Sequence, residues 1–291
     1  MLKPSARKFV CLRSVLTSAA LLIGILASVS HADAAFDRSL SQGKARITTP
    51  GSMPAQCTAV LLAVGTAMSN RDYDTLASHI AAYGYVIVVL DHQPGSLTKT
   101  NATKLRNLVL AVKSSLPSWV SPGCGSGFDR WLLGGHSAGG QAAHSAMLTD
   151  SSLASAVFSV DPYNLSGLGT ISKPGLYWGF NSTTCFVDVN AAGKAAYNRT
   201  PSATRVFHRV DTSKGWQWCG YVPHYSHCSF TNGGCPGCSS CVSAPQSFYN
   251  DVAQSVNRFV NALASGNWAK SNLTLVGAQT PVTTFTGSEQ P

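Results

Sequence analysis

"RWLLGGHSAGGQAAHSAML", Arg130 to Leu148, is the stretch on which the reading of this chain turns. A short apolar run leads into Gly134-Gly135-His136-Ser137-Ala138-Gly139-Gly140, and small residues at helical spacing follow. One serine stands among glycines at the junction. The segment is either a Gly-rich turn without chemistry or a sharp strand-to-helix turn that lifts a nucleophilic serine to the edge of a sheet. A Gly-x-Ser-x-Gly match means little until its flanks read as strand and helix. Here they do: "RWLLGG" predicts a strand and "AGGQAAHSAML" a helix.

Outward from this point the same alternation repeats. "ARITTP" and "CTAVLLAVG" read as strands, the second an unbroken apolar run suited to burial on both faces. "RDYDTLASHIAAYG" has helical spacing, with Tyr73, Leu76, His79, Ile80 and Tyr83 on one side and Gly84 as its end. "YVIVVL" is a strand, and "NATKLRNLVLAVKSSL" is an amphipathic helix with Asn101 as its cap. After the serine, "LASAVFSVD", "GLYWGF" and "TRVFHRV" read as strands, "AAGKAAYN" as a short helix and "APQSFYNDVAQSVNRFVNALAS" as the last helix. Strands alternating with helices predict an α/β class: a mainly parallel central sheet with helices on both faces. In such sheets the functional residues gather at the carboxyl ends of the strands.

The first 34 residues form a separate unit. "MLKPSARKFVCLR" is basic, "SVLTSAALLIGILASVS" is apolar, and Ala32-Asp33-Ala34 is a small-x-small site. That order predicts a signal peptide cleaved near Ala34 or Ala35, and a secreted or periplasmic product. Cys11 precedes the apolar run, the wrong side for a lipid-attachment cysteine. The expected division is 1–34 leader, 35–265 catalytic domain and 266–291 a Thr-rich tail or edge extension. No later segment is apolar over about 18 residues, so no membrane span is expected in the mature chain. The leader removes four Lys/Arg and one Asp from the 21 and 12 of the whole chain, leaving a net charge of +6. The basic residues are scattered and not interleaved with aromatics, which argues against nucleic acid as a partner. A monomer is expected.

Eight of nine cysteines remain after cleavage: Cys57, Cys124, Cys185, Cys219, Cys228, Cys235, Cys238 and Cys241. An even number in an exported chain predicts disulfides, with a connectivity that spacing does not reveal. "CPGCSSC" also has zinc-ligand spacing, which Cys228 or His227 would complete. Export favours pairing, so neither metal nor organic cofactor is expected. Asn101, Asn164, Asn181, Asn198 and Asn272 begin glycosylation sequons, relevant only in a host that glycosylates proteins.

A nucleophilic serine needs a base, and the base needs an orienting carboxylate. The one glutamate, Glu289, lies in the tail, so the acid is an Asp after Ser137. Asp150 and Asp251 sit on or beside helices, and Asp211 follows the strand leading to the histidine loop. Asp161 closes an apolar strand in "VFSVDPY", where a site residue belongs; Asp188, beyond "GLYWGF", is its rival. Among later histidines, His144 falls on a helix and His208 within a strand. His227 and His224 share the loop after the last strand, where a base is placed in this architecture. His227 is preferred because Cys228 can tether it. The oxyanion donors expected are the amides of Ala138 and Thr66.

"AVLLAVGTAMSNRDYDTLASHIAAYGYVIVV", "GGHSAGG", "VFSVDPY" and "SHCSF" together resemble the chlorophyllase-like branch of the α/β-hydrolases, close to bacterial polyester hydrolases and cutinase-like esterases. The resemblance runs from about Ala59 to the last helix. It implies the α/β-hydrolase fold, ester hydrolysis and an acid in an Asp-Pro segment soon after the serine, as at Asp161. Cutinase-like enzymes place the acid after the following strand, where "LYWGFNSTT" offers no carboxylate. Ala138 stands where plant chlorophyllases have Arg, and Val64-Gly65 stands where His-Gly is usual. The resemblance therefore implies ester hydrolysis and leaves the ester open.

Overall fold

The computed structural model describes residues 32–125, 127–183, 187–213, 225–233 and 244–291. The leader before residue 32, Cys185, Cys219, His224, Cys235, Cys238 and Cys241 lie outside them. Nine strands form one sheet: β1 (Ala32–Leu40), β2 (Gly43–Pro50), β3 (Cys57–Ala63), β4 (Val86–Asp91), β5 (Phe128–Ser137), β6 (Ala156–Pro162), β7 (Gly175–Phe180), β8 (Arg205–Val210) and β9 (Val282–Thr286). Their order is β1-β2-β4-β3-β5-β6-β7-β8-β9. The six from β4 to β8 are parallel, and β1, β2 and β9 join antiparallel at the edges.

Side-chain alternation explains how one sheet supports two cores. On β3, Val60 and Leu62 join one apolar cluster, while Ala59, Leu61 and Ala63 join the other. Leu132 and Leu133 divide the same way, as do Trp178 and Tyr177. Every residue of β3, β4, β6 and β7 is buried, as suits mainly apolar strands covered on both faces. The first face is covered by α1 (Asp74–Ala81) and α5 (Gln246–Ser265), through Leu76, Ile80, Phe248, Val252, Val256 and Phe259. The second is covered by α2 (Ala102–Trp119), α3 (Ala138–Thr149) and α4 (Gly193–Asn198). The Asn101 side chain caps α2 by accepting the Lys104 amide at 2.9 Å.

Three local expectations are corrected. β1 (Ala32–Leu40) has no counterpart among the expected strands, and it pairs antiparallel with β2. The helix expected from Arg71 starts at Asp74, after a 3-10 turn at Asn70–Tyr73 in which Asp72 accepts the Ser69 amide at 2.7 Å. Tyr83, placed on the apolar side by its spacing, is exposed beyond the end of α1. Residues 266–291 hold α6 (Lys270–Leu273) and the edge strand β9.

From β3 the chain moves to β4 on one side and returns to β5 on the other. The crevice outside the carboxyl ends of β3 and β5 is thus a topological switch point, where ligands bind in open α/β sheets. A disulfide between Cys57 and Cys124 fastens the opposite, amino end of β3 to the segment before β5.

Candidate active site

Ser137 ends β5 with φ 54° and ψ −128°, a backbone conformation that a residue with a side chain rarely adopts. Close backbone packing maintains it. A Cβ on Gly139 would lie 2.4 Å from the carbonyl oxygens of Ala63 and Val64, and one on Gly135 would lie 2.5 Å from the Gly139 carbonyl carbon. Only glycine lets β3, the turn and α3 approach this closely. The Ser137 hydroxyl does not cap α3, and its carbonyl accepts the Tyr163 amide at 2.8 Å.

The loop after β3 passes beside this serine: a Cβ on Gly65 would meet the Ser137 Cβ at 3.0 Å. The amides of Val64, Gly65, Ala67 and Met68 donate to Leu90 O, Tyr73 Oη, Leu97 O and Gly65 O. Among the described residues the Thr66 amide donates to nothing. Ala138 is the first residue of α3, so its amide has no carbonyl upstream in the helix. The two amides expected to hold an oxyanion are thus unfilled next to the serine.

Asp161 is the penultimate residue of β6, the neighbour of β5. The parallel register steps from His136↔Val160 to Ser137↔Pro162 and skips Asp161, which has φ 42°. This irregularity re-aims the carboxylate, as bulges beside functional sites do. Asp161 Oδ2 accepts from His227 Nδ1 at 2.7 Å. The two residues are 3% and 4% exposed. Burial raises the Asp161 carboxyl well above its usual range and lowers the His227 imidazole to about 3, so the ring is neutral at neutral pH.

His227 opens a 3-10 turn, His227–Phe230, held on several sides. Phe230 packs against Phe248 with ring centroids 5.1 Å apart, and Cys228 is disulfide-bonded. Asn232 donates through its backbone amide to Asp72 O and through its side chain to Arg71 O, and accepts the Thr75 amide. The turn that carries His227 is thereby pinned to the start of α1.

The other candidates are accounted for elsewhere. Asp188 is exposed in a loop, where it accepts the amide of Asn190. Asp150 pairs with Arg106, and Asp211 accepts from Asn181 and Ser213. Asp251 accepts the amides of Gln279 and Thr280. His144 bonds Gly169 O within its helix–loop contact, and His208 meets Thr284 across β8 and β9. Among the described residues no three His, Cys, Asp or Glu gather as a metal site; "CPGCSSC" lies outside them.

One part of the site went unread in the sequence. His136 is fully buried, its ring centroid 4.3 Å from that of His227. Its Nε2 lies 2.9 Å from His227 O and its Nδ1 2.8 Å from Tyr73 Oη. His136 occupies the variable position of the motif, and Tyr73 reads only as an apolar helix position. Nothing in their spacing links them.

The family model for chlorophyllase matches residues 28–181. The chain belongs to the chlorophyllase family. Membership brings the α/β-hydrolase fold that the sheet displays and a hydrolase of ester bonds. The matched span contains Gly65, Ser137 and Asp161 and ends before His227. No curated protein matches the chain significantly.

Proposed function

We propose that the protein is a secreted serine carboxylic-ester hydrolase working through Ser137, His227 and Asp161. The observation that carries this reading is the 2.7 Å bond between His227 Nδ1 and the buried Asp161 carboxylate, on the strand beside the strained serine. A carbonyl or carboxylate partner on Nδ1 fixes the proton there and leaves Nε2 as the basic nitrogen. His227 takes the Ser137 proton as the hydroxyl attacks the ester carbonyl. Asp161 stabilises the imidazolium that forms. The amides of Thr66 and Ala138 receive the oxyanion, aided by the positive end of α3. Collapse expels the alcohol, protonated by His227, and leaves an acyl group on Ser137. Water activated by the same imidazole releases the acid.

The ester is read as apolar. Leu97, whose carbonyl holds the Ala67 amide, is 72% exposed, and Tyr163, whose amide is held by Ser137 O, is 40% exposed. These large apolar side chains border the loop after β3 and the end of β6, on opposite sides of the serine's strand. They favour a lipid or polyester substrate over a polar ester. Ala138 in place of the arginine of plant chlorophyllases gives no support to chlorophyll. Export is supported by the Cys57–Cys124 disulfide, the bonded Cys228 and the leader-like sequence of residues 1–34. Residues 35–265 would form the catalytic domain, with 266–291 completing the sheet edge.

Purified mature protein is expected to hydrolyse p-nitrophenyl esters, faster with apolar acyl chains, while Ser137→Ala loses on the order of 10⁶ in kcat and stays folded. A folded wild-type protein without turnover would place the chain among non-catalytic binding proteins of this fold.

A further inference from the structure

We infer that Tyr73 and His136 are positioning residues of the hydrolytic site, joining the oxyanion loop and the base-bearing turn through one buried relay. The inference rests on the roles proposed above for Ser137 and His227. Its basis is a chain of three hydrogen bonds whose directions are all determined. His227 O is a carbonyl and only accepts, so His136 Nε2 carries the proton at 2.9 Å. With the ring neutral, Nδ1 is then an acceptor, so Tyr73 Oη donates to it at 2.8 Å. The Tyr73 oxygen in turn accepts the Gly65 amide at 2.9 Å. Met68 Sδ lies 3.3 Å from the same hydroxyl, but a thioether is a weaker acceptor than an imidazole nitrogen.

Both residues are fully buried, so these bonds form without competition from water. The relay links the loop after β3 to the turn that carries His227. At one end it fixes Gly65, next to the free Thr66 amide and beside Ser137. At the other it fixes the main chain of His227 itself. The Val64 side chain is apolar and buried in the core of the first face, so beyond its backbone bond to Leu90 O it offers the loop no side-chain hydrogen bond. The Tyr73 hydroxyl, delivered from the 3-10 turn ahead of α1, supplies it instead. Burial raises the Tyr73 phenol and lowers the His136 imidazole, so neither group titrates in the working range and the relay stays neutral.

Such residues act on the transition state more than on substrate binding, because the oxyanion and the proton transfer need exact placement. The test is a double-mutant cycle on the full mature chain with Tyr73→Phe, His136→Phe and both together, using a soluble p-nitrophenyl ester. Each single variant should lower kcat on the order of tenfold to a hundredfold with KM changed by less than about threefold. The double variant should lose no more than the worse single, since both break one relay. A folded Tyr73→Phe with kcat within about twofold of wild type, losses that multiply, or losses confined to KM would each overturn the inference. If Tyr73→Phe does not fold, His136→Phe and His136→Leu carry the same test: each removes both the N–H given to the His227 carbonyl and the acceptor for Tyr73. Ser137→Ala is assayed alongside. Activity surviving in that variant refutes the reading of the site, whatever the relay variants show.

Discussion

Asp161 meets His227 because one residue of β6 falls out of register. The parallel ladder passes over it, its φ is positive, and its carboxylate reaches the imidazole 66 positions along the chain. Replacing it with Asn keeps the shape but removes the charge and the preference for the correct tautomer. Asp161→Asn is therefore expected to lose about 10⁴ in kcat. Asp188→Asn should remain within about twofold, as expected of an exposed side chain that only closes its own turn. Steady-state rates of the two variants check this, and the reverse order would move the acid to the later loop. Ser137, Asp161 and His227 were legible in the sequence because each carries a local mark: the Gly-x-Ser-x-Gly turn, an Asp-Pro at a strand end and a histidine in the last loop. Tyr73 and His136 carry no such mark. Their pairing across 63 residues exists only once the 3-10 turn ahead of α1 is packed against the end of β5.

Among the described residues, the bonded cysteines lie at two ends of the sheet. Cys57–Cys124 closes a sequence separation of 67 at the amino ends of the strands, far from the crevice. Chain-entropy reasoning assigns such a closure about 4 kcal/mol. Cys228 instead sits directly behind His227. Cys57→Ser/Cys124→Ser should thus lower the unfolding midpoint in denaturant while folded protein keeps its kcat. Cys228→Ser should lower kcat with a smaller loss of stability. Parallel chemical denaturation and rate measurements decide this, and an active Cys228→Ser would deny the turn its covalent restraint. The strong elements were readable because β3, β4, β6 and β7 are mainly apolar runs buried along their whole length. β1 was not, because an edge strand buries little and "ADAAFDRSL" shows no clean alternation; β9 was legible only as one of two options for residues 266–291, a tail or an edge extension. Tertiary pairing, not local pattern, makes them strands.

Across the whole molecule, the architecture encloses several histidines within otherwise apolar or backbone-bonded surroundings. Burial lowers His92 and His144 to about 4, His208 and His227 to about 3, and His136 further below its ordinary value. Between pH 6.5 and 4 the unfolded chain binds protons at these positions that the folded chain does not. Stability therefore falls as pH falls through that window, by about 1.4 kcal/mol per unit for each fully differential group. Asp161, raised by burial, opposes this through a single group. A lower urea midpoint at pH 5 than at pH 7 is expected; an equal or higher one would contradict the burial of neutral imidazoles. The central claim concerns Ser137, and covalent labelling tests it most directly. Diethyl p-nitrophenyl phosphate mimics the acyl donor and stalls after attack. The account predicts release of one p-nitrophenolate per chain, loss of esterase activity in step, and a diethyl phosphate adduct that peptide mass analysis places on Ser137. Full ester turnover by protein that takes up no label, or an adduct elsewhere with Ser137 unmodified, would contradict it.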